Sequence, residues 1–235
     1  MFTESASLYD HFYAYKDYAG EAARIHEIVT RHNASATRLL DVACGTGRHL
    51  EHLQQWFSCE GTDIHPAMLD VARTRLPTMR LTKADMTDFS LGRRFDVVTC
   101  LFSAIGYAVT TDRLRVAISH LADHLDDRGV LIFEPWVLPE AWREPGVNTV
   151  EEVVDGDRTL VRVISSVRDR DTSRLQIHHV IAQAGTIETA DETHVLGLFS
   201  RADYLTACSA AGLDAWFEDG FLADRGLVVA VRNRN

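Results

Sequence analysis

The sequence predicts an α/β protein: a doubly wound parallel sheet with a C-terminal antiparallel strand and an inserted antiparallel β subdomain. Three observations carry that expectation. Short apolar runs alternate with amphipathic helical stretches from residue 38 to residue 135, the pattern of parallel strands joined by crossover helices. The first run ends in Asp41-Val42-Ala43-Cys44-Gly45-Thr46-Gly47, where small residues mark a tight strand-to-helix turn. Near residue 149 the rhythm changes to long alternating runs, as expected of antiparallel strands.

The elements follow in order. Ala22, Ile25, Ile28 and Val29 lie at helical spacing and predict a helix over 19–33. Residues 38–43 read as a buried strand, 47–57 as a helix and 59–63 as a second strand ending at Asp63. Pro66 suits the first turn of a helix that Pro77 stops near Leu76. Residues 79–84 suggest a third strand leading to Asp85-Met86, and 95–102 a fourth. A helix over 111–126 follows, then a loop containing Gly129 and a strand over 130–135. Two long runs, about 149–168 and 174–184, are joined by the charged turn Arg168-Asp169-Arg170-Asp171. Ser200 and Asp203 form a capping box before a helix over 201–211, and Gly212 suits the residue after its C-cap. Strands near 214–218 and 226–232 complete the chain.

The 235 residues fit one large domain or a core with an insertion. The expected division is an aromatic N-terminal lid with the α/β core over 1–137, inserted strands over 138–195, and the last core elements over 196–235. The net charge of −10 argues against a surface that tracks nucleic acid. No basic n-region precedes an apolar segment, and no apolar run approaches a membrane span, so a cytoplasmic protein without a membrane partner is expected. Cys44, Cys59, Cys100 and Cys208 form no CxxC pair and read as buried free thiols.

The first turn carries the chemistry. A strand that hands over to a helix through small residues offers backbone N–H groups and close approach to a nucleotide-like ligand. Asp63, at the end of the second strand, can accept both ribose hydroxyls of a nucleoside at the switch point. At the end of the third, Asp85 can take an adenine amine while Met86 packs on the ring. The dinucleotide fingerprint G-x-G-x-x-G is not matched: Gly stands only at Gly45 and Gly47, with Ala43 where a first Gly would be. Asp41 would repel a pyrophosphate but suits the ammonium of a methionine moiety. The residues therefore favour S-adenosylmethionine over a nicotinamide dinucleotide.

At these residues the chain resembles a known family. LLDVACGTGRHLEHL, DMTDFSLGRRFD, LFSAIGY, GVLIFEPW and the late DRGL are similar to the class I, S-adenosylmethionine-dependent sugar N-methyltransferases of macrolide antibiotic biosynthesis. Those enzymes act on the amine of a dTDP-3-amino-3,6-dideoxyhexose. The resemblance implies a Rossmann-like core, methyl transfer with S-adenosylhomocysteine as product, and a small-molecule acceptor. It implies that Ala43, Asp63, Asp85, Met86 and Leu101 line the cofactor pocket and that Tyr9 covers it. It implies that Tyr18, Glu134, Trp136 and Arg225 lie toward the acceptor. After Ile105-Gly106 stands Tyr107, where relatives carry Tyr or His, a candidate for proton transfer.

Other side chains are read beside these. Tyr9, Phe12, Tyr13, Tyr15 and Tyr18 make the N-terminal segment a lid or a cap on the sheet edge. Glu134, ending the fifth strand, could orient or deprotonate an acceptor, and Trp136 could stack on a base or sugar or sit in the core. His178 and His179 point to opposite faces of a strand, and His179 is the candidate to face the acceptor. Arg162, Arg168, Arg170 and Arg174 suggest a diphosphate clamp or a solvated hairpin face. His120 and His124 lack the Glu of a zinc-protease helix and read as a surface pair. His49 and His52 also read as surface residues, and no metal is expected. The inserted strands admit a homodimer contact. Three alternatives stay open: a methyltransferase for another natural product, a nicotinamide-dependent oxidoreductase, and a non-catalytic binder of S-adenosylmethionine.

Overall fold

In the computed structural model, residues 6–218 and 226–232 are described. A short helix, α1 (Ala6–Phe12), precedes α2 (Tyr18–His32), which Asp17 caps by accepting from the N–H of Gly20. The α/β core then runs β1 (Arg38–Val42), α3 (Arg48–Leu53), β2 (Ser58–Asp63), α4 (Pro66–Arg75), β3 (Arg80–Lys83), β4 (Phe95–Cys100), α5 (Thr111–Asp123) and β5 (Leu125–Phe133). Four strands follow: β6 (Asn148–Asp155), β7 (Arg158–Asp169), β8 (Thr172–Gln183) and β9 (Thr186–Gly197). The chain returns to the core through α6 (Arg201–Ala210), β10 (Leu213–Glu218) and β11 (Leu227–Arg232).

Seven strands form one sheet in the order β10-β11-β5-β4-β1-β2-β3. All pairings are parallel except those of β11, which runs antiparallel to both β5 and β10. The fold is thus the doubly wound, Rossmann-like class expected, with a C-terminal antiparallel pair. Successive residues of β1 divide the core. Leu39 faces Ile25, Ile28 and Leu50 from α2 and α3, while Leu40 faces Ile118, Leu121 and Ala207 from α5 and α6. Because β1 has β2 on one side and β4 on the other, the winding reverses there. A crevice opens above their carboxyl ends.

The inserted strands make a separate antiparallel meander in the order β6-β7-β8-β9. The sequence predicts one run over 149–168 and a second that ends at 184. The first run instead breaks at Gly156, which adopts φ +62, and β9 is an additional strand. α1 does not join the main core. Leu8 and Phe12 pack with Leu160 of β7, and Asp10 accepts from Thr46 Oγ1 (2.7 Å) and Arg75 Nη2 (2.5 Å). One short helix therefore bridges the inserted sheet and the first-turn loop.

Several expected boundaries shift for local reasons. Helix 47–57 shortens to α3, because Gln54 and Gln55 turn back to donate to the carbonyls of Glu51 and His52. Helix 111–126 ends at Asp123, where His124 caps it: Nδ1 donates to the His120 carbonyl (2.7 Å) and Nε2 accepts from the Leu91 N–H (3.0 Å). His124 is therefore buried against Phe89, with ring centroids 4.2 Å apart, and is not a surface residue. β5 starts at Leu125 and runs through Gly129, the position expected in a loop, with a register shift against β4 between Phe95 and Val97. The Ser200–Asp203 capping box opens α6, and Gly212 follows its C-cap with φ +74.

Candidate active site

One cavity of about 710 Å³ lies between the crevice of the large sheet and the inner face of the inserted one. That size suits a nucleoside-bearing ligand together with a small second molecule. Its core-side wall is built from strand ends. Ala43 and Gly45 follow β1, Asp63 ends β2 and Ile64 and His65 follow it, Ala84 to Thr87 follow β3, and Leu101 to Ala104 follow β4. Its other wall comes from the inserted sheet, with Arg162 and Ile164 of β7, Leu175, Ile177 and His179 of β8 and Glu192 to Leu196 of β9 contributing. Tyr9, Phe12, Tyr13 and Tyr15 close the end between them.

The first-turn loop is held by Asp63, which is 6% exposed. Its Oδ2 accepts from the Gly45 N–H (2.8 Å) and its Oδ1 from the His65 N–H (2.8 Å). Burial raises this carboxyl above its ordinary range, and the two N–H groups oppose that shift. Each oxygen keeps a further lone pair, which two ribose hydroxyls can use. Gly45 has φ +56, and a Cβ added there would meet nothing within 4 Å, so its backbone borders open space. Gly47 differs from expectation. It does not line this cavity; with φ +78 it caps α3, and a Cβ would sit 2.9 Å from Leu76 Cδ1. Asp85 Oδ1 accepts from both the N–H and the hydroxyl of Thr87, at 2.8 Å each. Asp85 and Met86 line the cavity together.

A smaller cavity of about 40 Å³ adjoins the loop, lined by Asp41, Tyr18, Arg48 and His49 among others. Asp41 is 2% exposed and accepts from Thr99 Oγ1 at 2.7 Å. Burial pushes its carboxyl up to about 7; the Thr99 hydrogen bond opposes this and the nearby Asp63 adds to it. Tyr18, expected toward the acceptor, lies here instead, under the Arg48 guanidinium at 5.0 Å. Its hydroxyl and Arg48 Nε are buried and make no hydrogen bond among the described residues. A guanidinium, a hydroxyl and a carboxylate around one small space match the two charges of an amino-acid end group. The residues present therefore fit the chemistry of S-adenosylmethionine. His49 is also not a surface residue. It is 7% exposed, sits edge-on to Tyr18 and hydrogen-bonds Glu21 Oε2 at 2.7 Å.

The acceptor side departs further from expectation. Glu134 is 1% exposed and does not line the cavity; Ser103 covers it, donating to Glu134 Oε1 (3.1 Å) and to the Pro135 carbonyl (2.8 Å). Ser103 and Phe102 both adopt left-handed backbone, with φ +60 and +53. Such strain in non-glycine residues persists where a site over-determines it. Trp136 lines the cavity, its Nε1 donating to Ser173 Oγ at 2.8 Å. Arg162 is 4% exposed, ion-paired with Glu151 and stacked on Phe12 (4.5 Å) and Tyr13 (4.7 Å). Arg168, Arg170 and Arg174 lie exposed near the β7–β8 turn, so the four arginines form no single clamp. Arg225 lies outside the described residues.

Tyr107 and His179 both line the cavity. The Tyr107 hydroxyl lies 2.8 Å from His194 Nδ1, and His194 Nε2 lies 3.1 Å from Glu192 Oε2. His179, 3% exposed, brings Nε2 to 3.9 Å from the same carboxylate oxygen. His178 faces outward to Asp191. Glu192 and His194 are site residues that the sequence reading missed. The period-two spacing of Glu192, His194 and Leu196 was the available signal, masked by polar residues on both faces of β9.

Comparison with known proteins shows the family and the fold. The family model of a methyltransferase domain matches residues 39–129. The chain is 40% identical to the dTDP-3-amino-3,4,6-trideoxy-alpha-D-glucopyranose N,N-dimethyltransferase of Streptomyces venezuelae, covering 97% of this chain and 98% of that one. It is 42% identical to the dTDP-3-amino-3,6-dideoxy-alpha-D-glucopyranose N,N-dimethyltransferase of Streptomyces fradiae, covering 95% and 89%. Among solved structures, Streptomyces venezuelae DesVI superposes with a TM-score of 0.93 at 39% identity, covering 99% of this chain and 100% of that one. The SAM-bound amino pentose methyltransferase CalS10 of Micromonospora echinaspora superposes with a TM-score of 0.87 at 36% identity, covering 99% and 98%.

Proposed function

The chain belongs to the family of S-adenosylmethionine-dependent methyltransferases that includes the dTDP-amino-sugar N,N-dimethyltransferases, and on that premise we propose that it methylates the amine of a nucleotide-linked amino sugar. The observation that carries this reading is the two-sided cavity. Its core wall is furnished for a nucleoside, the adjoining small cavity for an amino-acid end group, and its inserted-sheet wall leaves room for a second molecule.

When bound, S-adenosylmethionine supplies a methyl group on a positively charged sulfur, already activated for displacement. The chain's residues have to align and enclose. Asp63 and Asp85 hold the nucleoside, Met86 and Leu101 pack on it, and Asp41 and Arg48 fix the amino-acid end, with Tyr18 beside them. Alignment of donor and acceptor alone can be worth ~7–11 kcal/mol. Tyr9, Phe12 and Tyr13 exclude water from the closed end, which favours loss of the sulfonium charge. Trp136, fixed by Ser173, offers a flat face to a sugar or base, and Arg162 a cation held between two rings. Tyr107 and His179 are polar groups on the acceptor side, and Glu134 helps to place Ser103. The acceptor amine must be unprotonated to attack.

One observation favours a second reading, a different small natural-product acceptor: Arg162 is already neutralised by Glu151. Isothermal titration of dTDP into protein loaded with S-adenosylhomocysteine separates the two. The nucleotide-sugar reading expects saturable binding that weakens as salt rises. Binding of S-adenosylhomocysteine with no response to dTDP would move the acceptor to the second class.

A further inference from the structure

Glu192 and His194 stand side by side on the inner face of β9, 8% and 2% exposed, and no step above uses them. A buried carboxylate is costly unless its hydrogen bonds are met, and here its Oε2 faces two imidazoles, His194 at 3.1 Å and His179 at 3.9 Å. The geometry orders the protons. With Glu192 ionised its carboxylate only accepts, and His194 Nε2 then carries the hydrogen between them. With that hydrogen on Nε2, Nδ1 can accept, and the Tyr107 hydroxyl stands 2.8 Å from it. Burial raises the Tyr107 phenol above its ordinary range, which keeps that proton in place at rest. The result is a carboxylate, an imidazole and a hydroxyl in line, ending on a cavity-lining oxygen. It has the arrangement of an acid–base–nucleophile triad with a phenol in the last position.

We propose that Glu192, His194 and Tyr107 form a proton relay that removes the proton left on the acceptor nitrogen by each methyl transfer. This rests on the reading of the acceptor as an amine. The nitrogen lone pair forms the new C–N bond as the C–S bond breaks and its pair stays on sulfur, so the product is an ammonium. That ammonium gives a proton to Tyr107 Oη, and the hydroxyl proton of Tyr107 passes to His194 Nδ1. The imidazolium so formed is held by the Glu192 carboxylate and returns its proton to water when the cavity opens. A second methylation of the same nitrogen needs this removal before a fresh S-adenosylmethionine reacts, because an ammonium has no lone pair. Tyr107 is the residue that touches the acceptor; His194 and Glu192 are positioning residues acting through it.

The test has two readouts. In ¹⁵N-histidine-labelled protein, long-range ¹H–¹⁵N spectra give the tautomer of His194 without any turnover. The relay requires the hydrogen on Nε2, a perturbed Nδ1 in Tyr107→Phe and a perturbed Nε2 in Glu192→Gln. A hydrogen resting on Nδ1 would overturn it. In kinetics, Tyr107→Phe and His194→Gln each lower kcat about 30-fold, with KM and S-adenosylhomocysteine affinity nearly unchanged. This lies below the usual ~100-fold of a general base because water can take the proton on opening. The double variant falls no further than either single one, as for groups acting as a unit. Losses that multiply toward a thousandfold, or that fall on KM alone, would contradict the relay. If the wild-type protein methylates no amine, the amino-sugar reading fails while the tautomer measurement still decides the relay.

Discussion

Asp63→Ala is expected to weaken S-adenosylhomocysteine binding by at least about 100-fold. A charge-assisted hydrogen bond is worth roughly 1.5–3 kcal/mol, and two ribose hydroxyls would be lost together. The same change frees the N–H groups of Gly45 and His65, which Asp63 now holds at 2.8 Å each. The loop that frames the methionine end therefore loosens as well. Asp63→Asn separates the two contributions. It keeps a carbonyl for one backbone N–H and removes the charge, so its loss is smaller, about 10- to 30-fold at ~1.4 kcal/mol per tenfold step. Calorimetric titration reads both variants, with thermal unfolding of the unliganded proteins as the control for folding. Unchanged affinity in Asp63→Ala would place the nucleoside elsewhere.

The second large effect concerns Asp41, whose burial raises its carboxyl from an ordinary 3.8 to about 7. Between those values the folded protein holds a proton that the unfolded chain releases. Stability is therefore present at low pH and lost as pH rises from about 4 to about 7, then stays level. At 1.36 kcal/mol per unit the whole change amounts to about 4 kcal/mol. Asp41→Asn removes this contribution while keeping the acceptor for the Thr99 hydroxyl. The variant should thus be the more stable of the two near pH 8 and lose that advantage toward pH 4. It should also bind S-adenosylhomocysteine more weakly, because the ammonium loses its counter-charge. Denaturant unfolding of both proteins across this range checks it. A stability difference that does not change with pH would mean that Asp41 does not ionise there.

Both predictions rest on residues that the sequence already marks. Asp41, Ala43, Gly45, Asp63, Asp85 and Met86 are legible because a doubly wound sheet places the ends of successive parallel strands around one crevice. The order of strands and helices then suffices to bring them together. The inserted sheet was only half legible. Its outer face carries Val150, Val154 and Ile187 at 69% exposure or more, so the contrast between inside and outside that marks a strand is weak there. β9, with Glu192 and His194, escaped for that reason. Residues whose surroundings come from distant segments were misplaced. His49 depends on Glu21 of α2, His124 on the Leu91 loop, and Glu134 on the strained turn at Ser103. None of these partners lies within a few residues, so no local period reports them. The place of Tyr18 toward the acceptor follows from the family resemblance alone. In the fold α1 covers the large cavity, while Tyr18 opens α2 beside the first-turn loop.

The most direct test of the account is mass spectrometry of the purified protein incubated with S-adenosylmethionine and a dTDP-3-amino-3,6-dideoxyhexose. The account predicts that the sugar nucleotide gains one methyl and then a second, both on nitrogen by fragmentation, with S-adenosylhomocysteine formed in step. Protein that binds S-adenosylhomocysteine yet leaves every such amino sugar unchanged, or places the methyl on oxygen, would contradict it.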